Sequence, residues 1–301
     1  MNLVVASAAQ QQARDALTFE AWGAGLTPAS FLEREQCLRA HPWARRALTT
    51  WLWCEDDGTV LASCEAFVDA ARVGSRAGPA ATIASVFTEP NRRGRGHARQ
   101  MLCALLSRLE AEQCLAATLF SEIGTGLYQR LGFWPVPAFD TWFDPLVEAP
   151  PAVEWLEGAL PAPRHGPGDK ATLRLELGAE RLDWHLERER FYGAALGRPE
   201  LGVHGARVGD SSITWTAYWK TDELHVLSLD VRAEGDVPGL VLAARHAAHR
   251  AGLPVVRVWE TRALEVVEGA RRAARTDEIA MFCPLVAGVQ GWTEVERGLW
   301  A

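Results

Sequence analysis

The sequence predicts an α/β (α+β) chain in which one fold occurs twice in tandem. Each half alternates short apolar runs with amphipathic stretches in the same β-β-α-β-α-β order. Between the halves, Pro145, Pro150, Pro151, Pro161, Pro163 and Pro167 remove backbone donors and push their neighbours toward extended geometry, so this stretch reads as a linker. The chain has 301 residues, 48% hydrophobic and 23% charged, which is a globular composition with length for two ordinary domains. The expected division is a first domain over 1–145, a linker over 146–170 and a second domain over 171–301.

In the first half Leu3–Ser7 reads as a strand and Gln10–Trp22 as a helix. Thr27-Pro28 opens another helix: Thr suits the N-cap and Pro the first helical position, and Phe31, Leu32, Glu35 and Leu38 follow at helical spacing. Leu48–Cys54 and Val60–Val68 are strands joined by the hairpin signal Glu55-Asp56-Asp57-Gly58. Thr82–Thr88 is a buried strand, and the helix after Glu89–Ala98 sets Leu102, Leu105, Leu106 and Leu109 on one face. Leu115–Phe120 is a strand, Gly124–Leu131 a short helix and Phe133–Phe143 a last strand. The second half gives a strand over Thr172–Leu177, a helix over Ala179–Leu196, and a hairpin of Ile213–Trp219 with Leu224–Val231 around Thr221-Asp222. A helix over Pro238–Ala251, a strand over Val255–Trp259, a helix over Arg262–Ala274 and a strand over Glu278–Pro284 complete it.

Lys and Arg number 31 against 38 Asp and Glu, a net charge of −7, which argues against nucleic acid or an anionic membrane as partner. No apolar run approaches the roughly 20 residues that span a bilayer. Met1–Gln10 lacks the basic start of a secretory leader and reads as the first strand. The cysteines at 37, 54, 64, 103, 114 and 283 have no metal spacing and sit in apolar stretches, so reduced core residues of a cytoplasmic protein are expected, with no metal. His246 and His249 share an alanine-rich helix without a third ligand in view.

Chemistry concentrates in Arg93-Gly94-Arg95-Gly96-His97-Ala98, between a buried strand and an amphipathic helix. Small residues there leave several backbone N–H groups pointing outward at a helix N-terminus that carries about half a positive charge. Such a nest accepts a pyrophosphate, and Arg93, Arg95 and Arg99 add charge-assisted bonds. The glycine spacing is wrong for a dinucleotide fingerprint, and the acidic balance disfavours a nucleic-acid patch.

With Val86-Phe87 before it, the loop resembles the R-x-x-G-x-A segment of the GNAT superfamily of acyl-CoA-dependent N-acyltransferases. Tyr128-Gln129-Arg130-Leu131-Gly132-Phe133 resembles that family's Y-x-x-x-G-F. A narrower resemblance runs through Phe31-Leu32-Glu33-Arg34-Glu35, His41-Pro42-Trp43, Thr49-Thr50-Trp51-Leu52, Leu61-Ala62-Ser63-Cys64-Glu65, Ser85-Val86-Phe87-Thr88 and Phe120-Ser121-Glu122-Ile123-Gly124. These look like the fungal lysine N6-acetyltransferase family over most of residues 30–145, and more weakly beyond.

The resemblance implies acetyl-CoA as co-substrate, its pantetheine on the backbone of Val86 and Phe87 and its pyrophosphate on Gly94, Arg95, Gly96, His97, Ala98 and Arg99, with Arg93 beside them. It implies direct attack by an amine in a ternary complex, with Tyr128 as the acid that protonates the leaving thiolate. A lysine amine with pKa near 10.4 needs a base, and several stay open. Glu65 belongs to the family-like Ser-Cys-Glu. Glu89 and Glu122 read more readily as a solvated loop acid and a helix-start acid. The carboxylate of Ala301, on a tail with Trp292 and Trp300, is a further candidate, because some tandem GNAT enzymes place a chain end in the site. Ser121 stands where many members carry Asn. After Asp230 the second half shows acids where phosphate would lie, so it is expected to wall the acceptor pocket without binding coenzyme. Asp230 would then recognise a cation, and Trp215, Trp219 and Trp259 would pack the interface or line the pocket. The expected partner is a small-molecule amine: free lysine or a similar small amine, with an aminoglycoside, a polyamine or a protein lysine as alternatives. A non-catalytic acyl-CoA-binding regulator and a homodimer are left open.

Overall fold

A computed structural model describes residues 1–164, 169–260, 264 and 267–300. The first half contains β1 (Asn2–Val5), α1 (Ala8–Trp22), α2 (Pro28–Ala40), α3 (Pro42–Ala47), β2 (Leu48–Cys54), β3 (Val60–Val73) and β4 (Arg76–Phe87). It continues with α4 (His97–Ala111), β5 (Ala116–Ser121), α5 (Gly126–Gln129), β6 (Trp134–Pro135) and β7 (Phe139–Phe143). Next come β8 (Glu154–Trp155), β9 (Thr172–Leu175), α6 (Ala179–Leu196), β10 (Gly205–Val208), β11 (Ser211–Tyr218) and β12 (Glu223–Asp230). Last are α7 (Val237–Arg250), β13 (Val255–Glu260), β14 (Arg271–Ala274), β15 (Ile279–Pro284) and β16 (Gly291–Trp292).

Local chemistry accounts for most boundaries. Ser7 and Gln10 form a reciprocal capping box that starts α1, so Ser7 caps a helix instead of ending a strand. Thr27 accepts from the Ser30 N–H with Pro28 at the first position of α2, as its sequence predicts. Leu102, Leu105 and Leu109 on α4 are fully buried against the sheet, and Leu106 half so.

Two mixed sheets result. The first runs β1-β2-β3-β4-β5-β15-β6, with β9 pairing β3 and β16 pairing β9; the second runs β14-β7-β13-β12-β11-β10-β8. Neither is built from one contiguous half. β15, from the end of the chain, lies antiparallel to β5, pairing Ile279 with Ser121 through Pro284 with Ala116. β7, from the first half, inserts between β13 and β14. Phe143 and Met281, one on each exchanged strand, are completely buried. Each half therefore supplies core and backbone partners to the other's sheet.

Two expected elements are corrected by this exchange. Phe133–Phe143 is not one strand: β6 ends at Pro135, Pro137 follows without a backbone donor, and β6 lies on the first sheet and β7 on the second. The helix expected over 262–274 ends as a strand, because β7 offers Arg271–Ala274 an antiparallel partner that outweighs helical propensity. Residues 261–263 and 265–266 of that stretch lie outside the described residues. β3 and β4 run further than expected and meet in a tight hairpin at Gly74-Ser75. Within the proline-rich stretch, β8 pairs β10, and Leu156 and Leu160 are buried. No helix among the described residues is long and apolar enough to cross a membrane.

Candidate active site

A cavity of about 720 Å³ opens where the middle strands separate. β4 and β5 pair in parallel only over Ala81–Ile83 with Ala117–Leu119, and β4 continues to Phe87 without β5 beside it. Beside β3, the pairs Ser63 with Phe87 and Glu65 with Ala84 enclose Cys64 on one strand but Ser85 and Val86 on the other, a β-bulge. Ser85 carries it at φ 52°, a left-handed backbone unusual for a residue with a side chain. Arg14 secures the bulge: Nη2 donates to the Ser85 carbonyl (3.0 Å), Nε to Ser63 Oγ (3.1 Å) and Nη1 to Glu65 Oε1 (3.3 Å).

Val86, Phe87, Arg93, Gly94, Gly96, His97, Ala98 and Arg99 all line the cavity. Gly94 and Gly96 have φ of 76° and 83°, and a Cβ on either would meet nothing within 4 Å. Backbone handedness, not internal crowding, demands glycine there, and the space above both is open to a ligand. Gly96 is the N-cap of α4 and no side chain caps the helix, so its first N–H groups have no side-chain partner. Arg95 turns away, donating to the Asn91 carbonyl (3.4 Å) outside the lining, while Arg93 Nε donates to the Thr88 carbonyl (2.9 Å). An uncapped helix start, open space over two glycines and a bulged, half-unpaired strand fit the pyrophosphate and pantetheine of a coenzyme A thioester.

Tyr128 lies further along the same cavity, buried, with its ring edge-on to Phe133 at 5.9 Å. Burial, with Cys64 and Glu122 nearby, pushes its phenol up to about 12, so it stays protonated at neutral pH. Glu65 also lines the cavity. Burial alone would raise its pKa, but the guanidiniums of Arg14 and Arg39 outweigh that and hold the carboxyl below its ordinary value. Around it Arg14, Arg34 and Arg39 face Asp15, Glu35 and Glu65, three charges against three. Glu122 differs. It lines the cavity, and loss of solvation together with Glu278 and Asp277 lifts its carboxyl above the ordinary range. Glu89 lies outside the lining and pairs with Arg92 at 3.9 Å. The Ser121 hydroxyl closes the next turn on the Gly124 carbonyl.

The second half closes the cavity with Trp184, Arg188, Tyr218, Lys220 and Trp300. Asp230 is not among them: it pairs with Arg232 (2.9 Å) and accepts from the Arg164 N–H (2.9 Å), away from the cavity. Trp215 and Trp219 belong to the second core, while Trp259 packs across the interface on Phe120 at 5.2 Å. The tail docks. Arg297–Leu299 form a buried 3-10 turn; His185 donates to the Gly298 carbonyl (3.0 Å) and Arg181 to that of Leu299. A Cβ on Gly298 would sit 2.6 Å from Leu177, so close packing demands glycine there. The turn delivers Trp300 to the cavity; Ala301 lies outside the described residues. Among the described residues no three His, Cys, Asp or Glu side chains gather as a metal site requires, and His246 Nδ1 bonds the Val147 carbonyl at 3.0 Å.

Sequence reasoning expected the second half to wall the pocket but missed the residues Trp184, Arg188, Tyr218 and Lys220 that do so, together with Arg14 and Arg39 of α1 and α2. One signal was present: Trp184 and Arg188 are four apart on α6, hence on one helical face.

Residues 24–136 match the acetyltransferase (GNAT) domain family, and residues 178–282 match the LYC1 GNAT-like C-terminal domain. A lysine acetyltransferase of Yarrowia lipolytica is 23% identical, over 75% of this chain and 74% of its own. Among solved structures, a probable N-acyltransferase from Enterococcus faecalis superposes with a TM-score of 0.62 at 12% identity, covering 94% of this chain and 72% of its own. Eis1 of Mycobacterium abscessus gives 0.58 at 13% over 94% and 73%, and a GCN5-related N-acetyltransferase of Kribbella flavida 0.56 at 18% over 93% and 70%. At these identities the structures speak for the fold. The chain belongs to the GNAT acyltransferases, with an acetyltransferase domain followed by a GNAT-like C-terminal domain.

Proposed function

We propose that the protein transfers the acetyl group of acetyl-CoA to the side-chain amine of free L-lysine or a similar small amine, by direct attack in a ternary complex. The observation that carries this reading is one continuous cavity, from the uncapped glycine loop past the Ser85 bulge to Tyr128 and the second-half wall. The likeness to a lysine acetyltransferase supports lysine as the acceptor.

Acetyl-CoA supplies the acyl group as a thioester. Gly94, Gly96, His97, Ala98 and Arg99, with Arg93 beside them, hold its pyrophosphate; Val86 and Phe87 offer backbone groups to the pantetheine. An alkylammonium with pKa near 10.4 must shed a proton before attack. Glu122 takes it, directly or through water, because its raised pKa makes it a better base near neutrality than Glu65, which two guanidiniums hold ionised. Glu65 instead fixes Arg14 and, through it, the bulge. As the C–N bond forms and the C–S bond breaks, Tyr128 gives its phenolic proton to the leaving sulfur, and the second proton that the nitrogen sheds on becoming an amide returns to the phenolate, so the net proton released is the one Glu122 took.

Coenzyme A release from acetyl-CoA, with mass detection of products, tests this against L-lysine, ornithine, polyamines and an aminoglycoside. Acceptor-dependent formation of N6-acetyl-lysine is expected. Turnover confined to another amine would replace the acceptor, and acetyl-CoA binding without turnover of any amine would point to a regulator.

A further inference from the structure

The second-half wall carries positive charge: Lys220 lies near enough to Glu122 to feel its carboxylate, whereas Arg188 has no ion-pair partner among the described residues. Its charged cavity-lining residues are Arg188 and Lys220; no second-half acid lines the cavity among the described residues. The first-half wall is balanced around Glu65 by contrast. Arg188 projects from α6, and its guanidinium lies 4.3 Å from the Trp300 ring and 5.4 Å from the Tyr218 ring. Aromatic faces orient a cation without cancelling its charge. Its polar contacts are as sparse: Nη2 donates to Tyr218 Oη at 3.4 Å, Nε is buried without a partner, and no carboxylate among the described residues pairs with it. The charged side chains that act on it, Arg34 and Arg297, are also cations. A desolvated guanidinium with free donors is costly until an anion reaches it, and its planar fork matches a carboxylate. The coenzyme's own anionic groups have a separate seat at the glycine loop, on the first-half wall.

We propose that Arg188, with Lys220 and the Tyr218 hydroxyl beside it, receives the α-carboxylate of the acceptor, so that the substrate class is a free amino acid bearing a side-chain amine. This rests on the acetyl-transfer reading above. It separates free lysine from polyamines, aminoglycosides and lysines within a protein, none of which presents that carboxylate next to an alkyl amine. Arg188 acts here in specificity: it binds the far end of the acceptor and takes no part in proton transfer.

The test compares L-lysine with cadaverine, which is lysine without its carboxylate, and with L-lysinamide. The intact protein is expected to favour lysine by about 10- to 100-fold in kcat/KM, the range of a charged hydrogen-bonded contact. Arg188→Met should raise the KM for lysine by a similar factor with a smaller change in kcat, and bring the lysine-to-cadaverine ratio toward one. Arg188→Lys, which keeps charge but loses the fork, should fall between; it also serves if the Met variant does not fold, as thermal unfolding will report. Equal use of lysine and cadaverine by the intact protein, or an unchanged lysine KM in Arg188→Met, overturns the proposal. If no amine is turned over, the acetyl-transfer reading fails separately. Calorimetry with coenzyme A and N6-acetyl-L-lysine against N-acetylcadaverine then decides: carboxylate-dependent binding lost in Arg188→Met keeps the site, and equal or absent binding removes it.

Discussion

Expressing residues 1–145 alone removes β15 from the first sheet, and the size of that loss can be worked out. Ala280 and Met281 are completely buried in β15, and Phe282 and Cys283 are nearly so. Burying a Met or Phe side chain is worth about 1.5–3 kcal/mol each, and the two small residues add about 1 kcal/mol together. The sum, about 4–7 kcal/mol, is comparable with the whole stability of an ordinary domain, about 5–15 kcal/mol. Loss of β15 also bares the six-residue edge of β5 and leaves β7 without its own sheet. The fragment is therefore expected to aggregate, or to unfold without a cooperative transition, in urea titrations followed by circular dichroism and in size-exclusion chromatography. Adding residues 171–301 as a separate chain during refolding should restore a cooperative transition. A monomeric 1–145 fragment with the midpoint of the intact chain would refute the reasoning, because β15 would then contribute nothing to the first sheet.

Tyr128→Phe should lower kcat by about 10²- to 10⁴-fold while stability stays within about 0.5 kcal/mol, since the hydroxyl makes no hydrogen bond among the described residues and the Phe133 contact survives; steady-state kinetics and urea midpoints check both. Glu122→Gln should lower kcat by about 10²-fold at unchanged melting temperature. Glu65→Gln should instead lower stability by about 3 kcal/mol, because it leaves Arg14 buried with a lost partner; matched kinetics and melting curves separate the two. Burial holds His225 neutral at about 4 against 6.5 when unfolded, so its contribution is complete above pH 6.5 and is lost as pH falls toward 4. Between pH 7.5 and 5 this is about 2 kcal/mol, and His225→Gln should shrink the urea-measured drop by that amount.

Much of the fold was legible because its signals are local. Thr27-Pro28 starts a helix through capping alone, and the leucines of α4 announce their buried face by spacing. The coenzyme loop was legible for the same reason: the left-handed backbone at Gly94 and Gly96 and the helix start behind them lie within a few residues of one another. Tyr128 follows from a short pattern read in order after that loop. The exchange of β7 and β15 was not legible, since an apolar run of five or six residues does not state which sheet it will join. Pro135 and Pro137 marked a break in the run, and only the partner strands fixed where each piece went.

The acceptor wall illustrates the same division. Glu65 and Glu122 are both carboxylates near the cleft, and no property of the sequence ranks them as bases. Their surroundings do: the guanidiniums of Arg14 and Arg39 act on Glu65, while at Glu122 loss of solvation and the carboxylates of Glu278 and Asp277 outweigh Lys220 and Arg297, all brought from distant segments. Arg188 is one of 31 basic residues in the sequence. It becomes distinctive only when α6 sets it against Trp300 and Tyr218 with no carboxylate among the described residues paired to it. The sequence by itself determined most of the elements, the tandem plan and the coenzyme loop, because capping, periodicity and backbone handedness act over a few residues. The tertiary structure alone decided the strand exchange, the ranking of the acids and the cationic wall, because desolvation and charge pairing depend on residues far apart in the chain.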